Sequence, residues 1–83
     1  MGEVELWAFS MALNEDVLSN EFIDKLKKSK YAGVTPDAPW LHVMFRKKTD
    51  AFFALNQFIT DGYECDKRVR PVYVDRKYLQ KEI

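Results

Sequence analysis

The sequence predicts an α+β domain in two layers, a three- or four-stranded antiparallel sheet with two helices on one of its faces. Three observations lead there. The segments run strand, helix, weak strand, strand, helix, strand along 83 residues. Two of them carry apolar residues at helical spacing. Pro71 lies inside the last strand-like run, which suits an edge position where a missing N–H breaks no ladder bond. This length gives one domain, residues 1–83, with one core and no second lobe to form a cleft.

Val4 to Leu13 is rich in apolar and aromatic residues and short enough for a strand. Asn14 then offers an N-cap, with Glu15 and Asp16 in a first turn where the helix dipole favours acids. Leu18, Phe22 and Leu26 follow at spacings of four, Val17 and Ile23 widen the stripe, and Lys25, Lys27, Lys28 and Lys30 close it. Residues 31–39 hold one glycine and two prolines and read as loop, with at most a short irregular strand around Tyr31 to Val34. Trp40 to Phe45 reads as a central strand. Thr49 or Asp50 caps a second helix whose Ala51, Ala54, Leu55 and Phe58 share a face, and Gly62 stops it. Val69 to Val74 is the last strand, and residues 75–83 add a short helix capped by Asp75. Two split βαβ units in this order make a ferredoxin-like layer.

The composition is 47% apolar and 31% charged, which is globular. Thirteen basic residues balance thirteen acidic ones, whereas proteins held by phosphate contacts are normally basic. The charge is unevenly spread: residues 1–45 carry four lysines against seven acids, net −3, and residues 46–83 carry nine basic residues against six acids, net +3. Cys65 is the only cysteine, so no intrachain disulfide forms, as in a reducing compartment. The start, MGEVELWAFSMAL, has acids where a signal peptide needs Lys or Arg, and its apolar run is too short to span a bilayer. A cytoplasmic protein with no membrane partner is expected.

No catalytic motif emerges. One histidine, His42, and one cysteine cannot form the usual zinc sets, so neither metal nor cofactor is expected. As a general base His42 needs an orienting carboxylate and a nucleophile, and nothing at motif spacing supplies them. Glu64 and Asp66 flank Cys65, which raises its pKa and discourages nucleophilic use.

Residues 40–74 partially resemble the RNA-recognition motif. The run Trp40-Leu41-His42-Val43-Met44-Phe45 sits where that family carries its long ribonucleoprotein signature, and Asp50-Ala51-Phe52-Phe53-Ala54-Leu55 resembles its D-A-x-x-A-L helix. Asp61-Gly62 and then Lys67-Arg68-Val69-Arg70-Pro71-Val72 are similar to its turn and fourth strand, and Leu6 to Met11, with Trp7, to its short first-strand signature. Ala38-Pro39 replaces the usual basic residue and glycine, and His42 replaces the second stacking ring. The resemblance implies single-stranded RNA binding, with Trp7, Trp40 and His42 stacking bases and Arg46, Lys47, Lys48, Arg68 and Arg70 meeting phosphates.

From strand alternation alone, Leu6 and Ala8 face the helices, as do Leu41, Val43 and Phe45. The outer sheet face then gathers Trp7, Phe9, Trp40, His42 and Met44. Such a surface suits a protein partner, since Trp and Met are enriched in interface cores. It equally suits RNA, a second copy of the chain, or a C-terminal cover through Tyr78, Leu79 and Ile83. Phe53 falls about 100° from its helical neighbours and off the core face. The leading expectation is a small non-catalytic binding protein, an adaptor or inhibitor acting on a protein partner, of a size typical of accessory or phage-type regulators. RNA binding is the alternative, and a homodimer is a third.

Overall fold

The computed structural model describes residues 2–14, 17 and 19–75. The expected acids Glu15 and Asp16, the apolar Leu18 and the tail residues Tyr78, Leu79 and Ile83 lie outside that set. The described elements are β1 (Glu3–Ala12), α1 (Asn20–Lys28), β2 (Gly33–Asp37), β3 (Trp40–Phe45), α2 (Lys48–Thr60) and β4 (Arg70–Asp75). The four strands form one sheet in the order β2-β3-β1-β4, with every neighbouring pair antiparallel. This is the α+β split βαβ arrangement, and Pro71 sits on the edge strand β4 as expected.

The helices begin differently from expectation. Ser19, not Asn14, caps α1, its Oγ accepting the Phe22 N–H at 3.1 Å. Asn14 instead opens a tight turn whose carbonyl accepts from Val17 N. Phe22 and Leu26 form the buried stripe, whereas Ile23 stays exposed. Lys47, not Thr49 or Asp50, occupies the cap position of α2 and makes no side-chain cap bond. The other end of α2 is fully finished. Gly62, at φ 98°, lets its own N–H reach the Ile59 carbonyl and the Tyr63 N–H reach that of Phe58. This satisfies carbonyls the helix leaves open and brings the Tyr63 ring onto Phe58, 5.5 Å between centroids.

Residues 33–37 correct the loop expectation: they form a strand pairing from Gly33↔Met44 to Asp37↔Trp40. Its Pro36 is tolerated because β2 is an edge. Ala38-Pro39, joined by a cis peptide bond, makes the two-residue turn into β3. Asp75 ends β4, and the short helix expected over residues 75–83 lies outside the described residues.

The main core lies between sheet and helices, where Phe9 stacks on Phe45 at 5.8 Å and tilts against Phe58 at 6.2 Å. The inward side chains of β1 are thus Trp7, Phe9 and Met11, with Leu6 and Ala8 on the outer face. This reverses the parity expected from sequence. The reason is size: the gap under two helices needs large side chains, and the small Ala8, Ser10 and Ala12 alternate with them.

Candidate functional site

The outer sheet face therefore differs from the expected aromatic platform. Phe9 is a fully buried core residue and Trp7 lies half-buried on the helix side. Met44 does face outward but is buried with Leu6, Ala8 and Ala32, against which Val4, Val72 and Val74 pack. Of the expected rings only Trp40, 40% exposed, remains on this face together with His42.

What the face does carry is a polar chain drawing one residue from each strand. Arg70 of β4 donates from Nη2 to Ser10 Oγ at 3.3 Å. The Ser10 Oγ is 2.7 Å from His42 Nδ1, and His42 Nε2 is 3.2 Å from Asp37 Oδ2. With the neutral imidazole carrying its proton on Nε2, one sense of donation satisfies every link from cation to carboxylate. A serine, an imidazole and a carboxylate in line also make the order of a nucleophilic relay. The setting does not suit that chemistry. Ser10 is only 4% exposed, sits mid-strand, and gives its carbonyl to the Asp66 N–H at 2.8 Å. The chain ties four strands together. Sequence gave no sign of it, because positions 10, 37, 42 and 70 share no spacing and meet only through strand register.

The exposed apolar surface lies on the helix side. The α2 helix lays Ala51, Ala54, Leu55 and Phe58 into the core, as the spacing predicts, and leaves Phe52 and Phe53 outside, 42% and 69% exposed. Towards β4, Lys48 Nζ stands 5.1 Å from the Trp7 ring centroid and 6.0 Å from that of Phe52. Cation–ring attraction holds this ammonium on both rings. Tyr73, exposed, joins the same face opposite Glu5 and donates to its carboxylate at 3.4 Å. Towards α1, Phe53 forms a wall of a hollow of about 260 Å³ lined also by Lys25, Lys28, Ala54, Gln57 and Phe58. Lys25 closes its end by pairing with Asp61 at 3.0 Å, and that hydrogen bond raises the lysine pKa above its ordinary value. Lys48 and Tyr73 were missed as members of an aromatic surface; their strand and helix register alone places them there.

The basic runs do not meet. Arg46, Lys47 and Lys48 follow Phe45, which pairs with Trp7, so they start level with Leu6. Lys67 and Arg68 follow Asp66, which is bonded to Ser10, about 13 Å further along β1. Arg68 leans to Asp66, 3.8 Å away, and Arg70 is engaged by Ser10. Cys65 has its pKa pushed up to about 11 by burial and by Glu64, so the thiol is protonated and poorly nucleophilic. Among the described residues no cluster of three His, Cys, Asp or Glu is placed to hold a metal ion, and no helix is long and apolar enough to cross a membrane. No protein-family model, curated protein or solved structure matches the chain.

Proposed function

We propose that this chain is a small non-catalytic binding protein that engages a protein partner through its helix-side surface. The observation that carries the reading is the outward pair Phe52 and Phe53 on α2, successive residues that expose one phenyl ring on the side of Trp7 and one on the side of α1. Large apolar rings exposed on one helix suit an interaction surface, and such rings dominate the energetics of binding hot spots. RNA stacking on the outer sheet face has less support, because Phe9 and Trp7 face inward and Met44 is covered.

The test places the photo-crosslinker p-benzoylphenylalanine at Phe53, with the same group at Thr35 on the far sheet face as control. Irradiation in the source cells should yield one protein adduct at position 53 that resists nuclease and is missing at position 35. Adducts to RNA at position 53, or equal protein adducts at both positions, would refute the reading.

A further inference from the structure

The Arg46-Lys47-Lys48 run has neighbours the sequence does not suggest. Because β1 and β2 flank β3 in antiparallel fashion, α1 runs towards the end of the layer at which α2 begins. The Ala32 N–H is bonded to the Met44 carbonyl at 2.7 Å, which sets Lys30 and Arg46 each two residues from that bond. Lys28 and Ser29 line the same hollow as Phe53, five residues into α2 from Lys48. Lys27, Lys28 and Lys30 therefore share one end of the helix layer with Arg46, Lys47 and Lys48. Asp24 and Asp50 are the acids closest along these two segments, so six cations stand against two acids, an excess of four on a chain whose net charge is zero. Among the described residues, none of these cations is in an ion pair.

Resting on the reading of a protein partner, we infer that this end of the helix layer docks an acidic segment bearing a large apolar side chain. The apolar side chain sits against Phe53 in the hollow between α1 and α2, and the carboxylates of the segment meet Lys28, Arg46 and Lys47. Size and charge select this occupant. A hollow of about 260 Å³ lies below the roughly 300–1,000 Å³ of small-molecule sites and suits a single side chain. Phe53, Ala54 and Phe58 make its floor apolar and Lys28 stands on its lining, while Lys25 there is paired with Asp61, so the complement is an apolar anchor with acids on the side of Lys28. An amphipathic helix presents that pattern on one face.

The probe is a fluorescein-labelled helical peptide of about 16 residues with Leu at i, i+3, i+4 and i+7 and Glu elsewhere, compared with a twin bearing Lys for Glu and with oligouridylate. Fluorescence anisotropy should show the Glu peptide binding and the Lys peptide not. The pair Lys28→Glu with Lys47→Glu should weaken binding by about ten-fold, and Phe53→Ala should weaken it as well. Lys67→Glu with Arg68→Glu makes the same charge change elsewhere and should leave binding unaltered, with circular dichroism confirming that both variants fold. Equal loss in the two charge-reversed variants would overturn the inference, as would binding of both peptides alike or displacement of the Glu peptide by oligouridylate. If the Glu peptide fails to bind while the Phe53 crosslink still captures a protein, the acidic segment is wrong and the protein partner stands.

Discussion

Replacing Ser10 by alanine separates a structural polar chain from a catalytic one. Ser10 Oγ serves two partners, His42 Nδ1 at 2.7 Å and Arg70 Nη2 at 3.3 Å. A net hydrogen bond contributes about 0.5–1.5 kcal/mol, and more where a partner is charged. Arg70 is exposed and recovers its lost acceptor from water, so its share is small. The His42 side chain is 24% exposed and recovers less. The expected cost is about 1–2 kcal/mol, which lowers Tm by roughly 5–15 °C in a domain this small. Thermal unfolding followed by circular dichroism measures it. A cycle with Ser10→Ala and His42→Ala isolates the pair and should give a coupling of at least about 0.5 kcal/mol. The wild-type serine should also resist fluorophosphonate labelling, since it is 4% exposed. No coupling in the cycle would show that the chain ties nothing together. Labelling of Ser10 would restore the nucleophile.

Two further outcomes test the architecture. Gly62→Ala should cost about 1–2 kcal/mol in urea unfolding, because φ is 98° although open space surrounds the position; an unchanged midpoint would show that the helix ends without the left-handed residue. Cys65 should react with iodoacetamide at pH 8 well below the rate of an unfolded control, its pKa being raised to about 11. The unfolded thiol, with its ordinary value of 9.0, ionises first, so this group favours the fold below pH 9 and that contribution is lost as pH rises towards 11. Stability that rose over that interval would contradict the assignment.

The layer architecture was legible because it rests on patterns a chain carries locally. Pro71 announced an edge, and the spacing of Ala51, Ala54, Leu55 and Phe58 announced the buried face of α2. The facing of β1 was not, since both of its sides are apolar and alternation alone does not say which meets the helices. Size would have told: Trp7, Phe9 and Met11 alternate with Ala8, Ser10 and Ala12. β2 was hidden because its proline and glycine read as turn chemistry, whereas its ladder partner comes from β3. Phe53 was legible as a side chain off the core. The polar chain and the basic end of the helix layer were not, since each is assembled by register from distant segments.

The two ends of α2 are finished unequally, and this gives the helix a direction of opening. Its C-terminus is locked by Gly62 and by Tyr63 against Phe58, while Lys47 leaves the first N–H groups without a side-chain acceptor. Local unfolding proceeds from the least supported turn, here the turn that holds Lys48 over Trp7 and Phe52. Amide exchange along α2 therefore grades from fast at Thr49 to slow at Phe58. A ligand that settles on the basic end would slow the fast amides most, so occupancy is written in protection factors on the very turn that lacks its cap.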